Sequence, residues 1–191
     1  RIVYVGVTDL HTRKFEGMWP LPYGVTYNSY VIADEKVALI DTVEGDYAEE
    51  YLAKVEEALS GRSLDYLVVN HMEPDHSSLI ADILDRYPQA KILTTAKAVP
   101  MIQGYHGIGA DSIHVVKEAE EVSLGSCTLR FHAVPMVHWP ETMVTWVEQE
   151  NTLFSGDAFG TFGAVDCQDW SLGGGHLHGG SAAESCFEEF K

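Results

Sequence analysis

The sequence predicts an α/β protein in which two β-sheets pack face to face and helices cover them. Two observations support this fold class. The first half of the chain alternates strand-like runs with helical periodicity, whereas residues 113–155 form one strand-like run after another. A β-α-β half followed by a meander is typical of two packed sheets with helical layers. With 191 residues and 46% hydrophobic composition, the chain can bury the core that this fold needs.

The first part of the chain contains strands and then one amphipathic helix. Runs rich in β-branched and aromatic residues, bounded by turn formers, predict strands at 2–7, 27–32 and 37–40. From Asp46 the apolar residues recur at helical spacing. Asp46 and Glu49 form a capping-box pattern, and Gly61 supplies a stop, so we expect a helix between them.

A β-α-β unit follows. The apolar run 64–70 predicts a buried strand, and residues 71–76 predict the loop after it. Ser77 or Ser78 can cap the next helix. A strand at 91–95 completes the unit. After a short helix near Val99, the remaining strands are predicted at 113–116, 121–124, 128–134, 143–147 and 152–155, with hairpin turns at 125–126 and 148–151.

The composition excludes several classes of function. A formal net charge of −17 repels nucleic acid and anionic membranes. Neither an apolar run of about 18 residues nor a secretory signal pattern is present, so we expect a cytoplasmic protein. Three cysteines without C-x-x-C spacing indicate reduced thiols. The glycine-dense segment 173–180 predicts a mobile loop, and the chain stops within a helix-like stretch at 184–190, so we expect a fragment.

Residues 71–76 concentrate potential metal ligands at a strand end. His71, Glu73, Asp75 and His76 lie within six positions, and Pro74 limits the freedom of their loop. A single histidine near an apolar strand is more often a hydrogen-bonded core residue than a ligand, but four such side chains together favour a metal site.

Two further candidates follow later strands. His138 comes after the strand that ends at Val134, and Asp157 follows the strand at 152–155. Strand ends on one edge of a sheet can converge, which would bring these side chains to the first cluster. Taken alone, His138 also fits a loop residue stacked against Trp139, and Asp157 fits a turn cap.

The motifs match a known family. Four segments resemble the diiron domain of flavodiiron proteins: Asn28-Ser-Tyr, His71-Met-Glu-Pro-Asp-His, Val137-His-Trp-Pro-Glu and Ser155-Gly-Asp-Ala-Phe-Gly. Met18-Trp-Pro-Leu-Pro is also similar. The resemblance implies a metallo-β-lactamase-like αββα sandwich of two mixed sheets flanked by helices. It also implies that residues 1–191 form one such domain, incomplete at its C-terminus and without the family's flavodoxin-like domain.

Carried over position by position, the resemblance implies two iron ions and six ligands. They are His71, Glu73 and His138 on one iron, Asp75 and His76 on the other, and Asp157 between the two. The histidine corresponding to His76 is not always a ligand in that family. The family also uses a histidine further downstream, beyond the end of this chain. His176 and His178 are substitutes for it in principle, although a flexible glycine loop holds a ligand poorly.

Glu73 distinguishes redox chemistry from hydrolysis. Zinc hydrolases of the wider fold carry H-x-H-x-D-H, with histidine where this chain has Glu73. Glu73, Asp75 and Asp157 bring three negative charges, so two divalent metals with a bridging hydroxide give a neutral cluster. The extra carboxylate suits iron and stabilises its oxidised state, whereas a more positive centre favours hydrolysis.

The resemblance implies that the domain reduces dioxygen to water, or nitric oxide to nitrous oxide. Electrons would come from FMN on a flavodoxin-like domain or from a redox donor protein, usually across a head-to-tail homodimer. We predict that this chain alone binds no FMN, because no phosphate-binding loop follows a predicted strand. Tyr23, Tyr27 and Trp139 are candidates for the substrate pocket, with ordinary packing as the alternative.

Two other functions remain open from the residues. One is a zinc-dependent hydrolase acting on an ester, thioester or phosphodiester, since a fold alone does not decide function. The other is a non-catalytic domain that folds around partial metal or none. Metal content distinguishes the three.

Overall fold

The computed structural model describes residues 2–164. Several predictions made above lie outside the described residues. They concern the glycine loop, the helix-like stretch at 184–190, His176, His178, Cys167 and Cys186. Along the chain, the strands are β1 (Ile2–Tyr4), β2 (Val7–Asp9), β3 (Lys14–Phe15), β4 (Trp19–Pro20), β5 (Val25–Tyr27), β6 (Tyr30–Ala33), β7 (Val37–Ile40), β8 (Tyr66–Val68), β9 (Lys91–Thr94), β10 (Ile113–Val115), β11 (Glu121–Ser123), β12 (Thr128–Ala133), β13 (Met143–Val147) and β14 (Thr152–Phe154). The α-helices are α1 (Ala48–Leu59), α2 (Pro74–Ser77), α3 (Ile80–Arg86) and α4 (Val99–His106). Short 3-10 turns lie at Gly45–Tyr47, Ala110–Ser112 and Glu148–Glu150.

Two main sheets make up the fold. The first has six strands in the order β1-β6-β7-β8-β9-β10, with parallel pairing from β7 to β10 and antiparallel pairing from β1 to β7. The second has four antiparallel strands in the order β11-β12-β13-β14. The predicted two-sheet α/β class is confirmed, with the mixed pairing confined to the first sheet in residues 2–164.

Residue alternation on the central strands creates a core on each face of the first sheet. In β7, Val37 and Leu39 face the helices, where Tyr51 and Ile83 pack beside them. Alternate positions, such as Ile40, face the second sheet and its buried side chains. The parallel strands are buried on both sides, which explains why they read as continuous apolar runs.

Backbone hydrogen bonds also join the two sheets, at opposite ends of the parallel strands. The Met143 amide donates to the Asn70 carbonyl at 2.9 Å, and the Lys36 amide donates to the Leu124 carbonyl at 2.8 Å. Among residues 2–164, none of the helices is long and apolar enough to cross a membrane.

The N-terminal strand predictions were wrong in their extent. The predicted strand at 2–7 divides into β1 and β2, and the strand at 27–32 divides into β5 and β6, because the chain leaves the main sheet for a small β2-β5 sheet. Gly6 lies at this crossing. A Cβ atom there would be 2.2 Å from the Tyr27 carbonyl oxygen, so only glycine allows the approach. The β3-β4 hairpin was not predicted.

The predicted helix caps are also not formed. Glu44, and not Asp46, accepts from the Gly45 amide, and α1 begins without a side-chain cap. Ser77 and Ser78 do not cap α3, because their hydroxyls donate instead to the carbonyls of Met72 and Pro74. The chain instead forms the helical turn α2, which begins at Pro74, before the predicted start of the helix.

Candidate metal centre

Loops from both sheets meet at one edge of the fold. The carboxyl ends of the parallel strands β7, β8 and β9 lie together there, and His71 follows β8 after only a short connection. In the second sheet, the β12-β13 loop carries His138, and the end of β14 leads to Asp157. Because β13 and β14 are antiparallel, that loop and the end of β14 share an edge.

The first donor group contains two histidines and two carboxylates. Nε2 of His71 lies 3.1 Å from Oε2 of Glu73 and 3.3 Å from Nε2 of His138. Nε2 of His138 lies 2.7 Å from the same Glu73 oxygen. Oδ2 of Asp157 is 3.2 Å from the His138 nitrogen and 3.5 Å from the His71 nitrogen. All four donor atoms therefore face a common centre and lie within 4.8 Å of one another.

The second donor group shares Asp157 with the first. Oδ1 of Asp157 lies 2.7 Å from Nε2 of His76, and Oδ2 of Asp75 lies 3.7 Å from that nitrogen. These three residues also offer donor atoms within 4.8 Å of one another. Asp157 thus directs one oxygen to each group, which is the arrangement that a bridging carboxylate needs.

A short helix presents the donors of the second group. The segment predicted as a loop at 71–76 has no regular secondary structure as far as Glu73 and then becomes α2, with Pro74 at its first position. Proline suits that position because its missing amide would have no helical partner. Thr42 then fixes the turn, since its amide and hydroxyl both donate to the His76 carbonyl, at 2.8 Å and 3.0 Å.

The charges of the second group are strongly coupled. Burial alone would lower the pKa of His76, but the hydrogen bond to Asp157 and the charge of Asp75 raise that pKa to about 10. Burial would raise the pKa of Asp157, but its hydrogen bond to His76 and the nearby imidazoles hold it well below its usual range. Without a cation, His76 therefore carries a proton, which metal binding has to displace.

The pKa values of the other two carboxylates shift in opposite directions. Burial raises the pKa of Asp75 to about 6, and the charges of Asp157 and Glu73 act in the same direction. Burial also acts to raise the pKa of Glu73, but its hydrogen bond with His71 and the charge of His138 lower it overall. A nearby cation would stabilise the charged form of both groups.

Unpartnered atoms test whether these residues suit a metal. Among the described residues, Oδ1 of Asp75 and Nδ1 of His76 are buried without a hydrogen-bond partner. Leaving such an atom unsatisfied costs about 1–3 kcal/mol. A cation held by Asp75 would supply a partner for its buried carboxylate oxygen, whereas His76 faces the other donors through Nε2. Imidazole and carboxylate donors suit iron or zinc. The donor set fits a pair of metal ions that share Asp157.

All six residues predicted from the sequence therefore lie together at one edge. Four of them, His71, Glu73, Asp75 and His76, are buried, whereas the side chains of His138 and Asp157 are 53% and 36% exposed. The site is thus open on the side of the second sheet. The role of the six residues as metal ligands remains a prediction.

Comparison with known proteins decides the family. A family model described as ODP family beta lactamase matches residues 25–173. The nitric oxide reductase of Moorella thermoacetica is 39% identical over 160 residues, which are 83% of this chain and 40% of that protein. The rubredoxin-oxygen oxidoreductase of Megalodesulfovibrio gigas is 35% identical over 156 residues, 82% of this chain and 39% of that protein.

A solved structure agrees with these relatives. The flavodiiron protein from Giardia intestinalis has a TM-score of 0.81 and 32% sequence identity, over 86% of this chain and 40% of that chain. The chain belongs to the ODP family, the metallo-β-lactamase-like domain of flavodiiron proteins. It spans about 40% of the length of the curated relatives that it matches.

The predicted pocket residues of this flavodiiron domain differ in position. The Trp139 ring lies edge-on to His71, with centroids 5.4 Å apart, so it borders the site. Tyr27 is buried in the core, and its hydroxyl donates to Asp9 at 3.2 Å. Tyr23 is 43% exposed, and its carbonyl accepts from the Ala164 amide. The alternative of ordinary packing therefore applies to Tyr27. Of the three residues, only Trp139 has a ring contact with a predicted ligand.

Sequence reasoning missed the buried polar residues behind the flavodiiron site. The Asp41 carboxylate accepts from the backbone amide of Asn70 at 2.7 Å. The side-chain oxygen of Asn70 in turn accepts from the Thr145 hydroxyl at 2.7 Å. Glu141 contacts His71 directly. Glu141 was part of a recognised motif without an assigned role, whereas nothing in the local pattern distinguishes Asn70 or Thr145 from ordinary strand residues.

Proposed function

We propose that this chain binds two iron ions through His71, Glu73, Asp75, His76, His138 and Asp157, and that its function is to reduce dioxygen to water or nitric oxide to nitrous oxide. The observation that carries this proposal is the position of Asp157, with one carboxylate oxygen facing each donor group. Two ferrous ions would supply electrons and open coordination positions. The names of the relatives, nitric oxide reductase and rubredoxin-oxygen oxidoreductase, support the same reaction class.

Glu73 supports iron over zinc. Its Oε2 atom lies between the two imidazoles of the first group, 3.1 Å from His71 and 2.7 Å from His138, where it would add negative charge directly beside a metal. A hard anionic ligand suits iron and favours its oxidised state, whereas hydrolysis needs a strongly Lewis-acidic metal. The zinc-hydrolase alternative has no comparable support from this donor set.

We further propose that an FMN-bearing flavodoxin-like domain or a redox donor protein delivers electrons at the open side of the site, in a homodimer of the full-length protein. Exposed apolar side chains flank the outer ligands. Met136, next to the segment of His138, is 69% exposed, and Phe159, two positions after Asp157, is 94% exposed. Such side chains beside a buried charged centre are suited to contact with a partner surface. A cytoplasmic location remains a prediction from the sequence.

Metal selectivity tests the proposal. The purified chain is loaded anaerobically with an equimolar mixture of ferrous and zinc ions, and retained metal is measured by elemental analysis for wild type and Glu73→His. Glu57→His, an exposed change on α1, is the matched control. We expect iron in the wild type and the control, with a shift toward zinc in Glu73→His.

The reaction is tested next. Iron-loaded wild type is reduced chemically and mixed with dioxygen or nitric oxide, and consumption of the gas is followed in a single turnover.

The metal-selectivity measurement also distinguishes the alternatives. Retention of zinc alone by the wild type would favour the hydrolase, and retention of neither metal would favour a non-catalytic domain.

A further inference from the structure

The side chain of Glu141 lies behind the metal-facing side of His71. Glu141 is buried, with 2% of its surface exposed, on the loop that also carries His138. Its Oε1 atom accepts from the Met72 amide at 2.9 Å and lies 3.0 Å from Nδ1 of His71. Burying a carboxylate costs free energy unless it is hydrogen-bonded, and these two contacts offset part of that cost.

The neighbours of Nδ1 determine where the His71 proton lies. The Glu141 carboxylate can only accept a hydrogen bond. The Thr142 hydroxyl, 3.2 Å from Nδ1, donates its own proton to the Trp139 carbonyl at 3.0 Å and therefore also acts as an acceptor toward His71. With acceptors on both contacts, Nδ1 holds a proton, so Nε2 is the nitrogen that can offer a lone pair to a cation.

Nε2 is the atom that faces the other donors. It lies 3.1 Å from Glu73 and 3.3 Å from the Nε2 atom of His138. The hydrogen bond from Nδ1–H to Glu141 thus fixes both the tautomer and the ring orientation that present a lone pair to the common centre.

The backbone of Glu141 is also hydrogen-bonded, whereas the second carboxylate oxygen, Oε2, is buried without a hydrogen-bond partner among the described residues. Its carbonyl accepts from the Thr95 hydroxyl at 2.8 Å, just after β9. The residue therefore connects three loops: the one after β8 through Met72 and His71, the one after β9 through Thr95, and its own between β12 and β13.

We propose that Glu141 is a positioning residue that holds His71 in its metal-binding tautomer and keeps the β12-β13 loop in register with the loop after β8. This inference rests on the proposed function, because it assumes that Nε2 of His71 binds a metal. It assigns Glu141 no contact with the metal or the substrate.

The test compares two glutamines. Glu141→Gln keeps the shape of the side chain but replaces the charged acceptor with a neutral one. Glu118→Gln is the matched control, because Glu118 makes the same pair of contacts at an exposed position, with Nδ1 of His132 at 2.7 Å and the Ala133 amide at 2.9 Å. Zinc and ferrous affinity are measured by competition with a chelator, and histidine tautomers by nitrogen-15 NMR of the zinc-loaded proteins.

We expect Glu141→Gln to lose about 10- to 100-fold in metal affinity, and its His71 Nδ1–H signal to move upfield. Glu118→Gln should match the wild type in both measurements. Unchanged affinity and an unchanged His71 signal would overturn the inference. If Glu141→Gln does not fold, the nitrogen-15 spectrum of the zinc-loaded wild type still tests the proposal, because a proton on Nε2 of His71 contradicts the proposed tautomer. Failure of the wild type to bind any metal would instead count against the proposed function.

Discussion

Nε2 of His71 lies 3.3 Å from Nε2 of His138, although the two residues are 67 positions apart in the sequence. The first follows a parallel strand of one sheet, and the second lies in a hairpin loop of the other. These two nitrogens, with a carboxylate oxygen of Glu73 close to both, are the donor atoms that we propose for the first metal ion.

Metal binding should stabilise the folded chain, because the donors converge only after both sheets have formed. At a free metal concentration of 100 times Kd, we expect a gain of about 2.7 kcal/mol in the free energy of unfolding. Urea unfolding with added ferrous ion and with chelator measures this gain. Asp157→Ala should remove most of it, whereas the exposed control Asp111→Ala should keep it. Equal stability of the wild type in both buffers would argue against a metal site.

The two donor groups should lose metal separately. Because His138 belongs to the first group and His76 to the second, His138→Ala and His76→Ala should each reduce metal content from about two ions per chain to about one. Elemental analysis after anaerobic loading provides the count. His11→Ala, an exposed change, serves as the control. A full metal content in His76→Ala would show that His76 is not a required ligand.

The buried network behind the site should contribute to stability. Thr145 donates to Oδ1 of Asn70 at 2.7 Å, and both residues are buried. Thr145→Val removes the donor and leaves the amide oxygen unsatisfied, so we expect a loss of about 1–3 kcal/mol in the free energy of unfolding. Thr128→Val, at the less buried start of β12, should change stability by less than about 0.5 kcal/mol. Equal effects of the two substitutions in urea unfolding would contradict this account.

Asp9 should make stability depend on pH in the acid range. Burial alone would raise the pKa of Asp9, but hydrogen bonds from Thr12, Tyr47 and His11 lower it to about 2 from the model-compound value of 3.8. Because the folded pKa is depressed, the ionised group stabilises the fold above pH 3.8, and this contribution disappears as the pH falls toward 2.

The Asp9 contribution is measured as a difference between variants. With allowance for solvent screening, we expect Asp9→Asn to unfold about 1 to 2 kcal/mol more easily than the wild type near neutral pH. That difference should shrink as the pH falls from about 4 to about 2. Asp111→Asn, an exposed change, is the matched control. A constant difference for Asp9→Asn would remove Asp9 from the acid-sensitive groups.

The central strands and the ligand cluster could be predicted from the sequence because their signals are local. The parallel strands are buried on both faces and read as apolar runs, and His71 to His76 fall within one short segment. Convergence of His138 and Asp157 with that segment could be inferred only through recognised motifs. Their approach depends on which strands become neighbours in the second sheet, and no local pattern encodes that choice.

The errors have a common physical cause. Gly6 was included in a continuous strand because its neighbours are β-branched, and the close approach to the Tyr27 carbonyl depends on a residue 21 positions away. Ser77 and Ser78 were predicted to cap a helix, but a carbonyl of the preceding turn was available to each hydroxyl. Glu141 gained its contacts only when three loops met. Each error reflects competition between a local preference and a partner supplied by the fold.

The separation of the donors along the chain has a consequence for biosynthesis. His76 and Asp157 are 81 positions apart, and their contact requires β14, the last of the described strands to be synthesised. The cost of closing so long a loop must be met before the contact forms. A nascent chain that has released only its first half therefore lacks the shared carboxylate, so a metal pair held as proposed would assemble only after the second sheet has docked. Binding of that pair would then report the completion of folding.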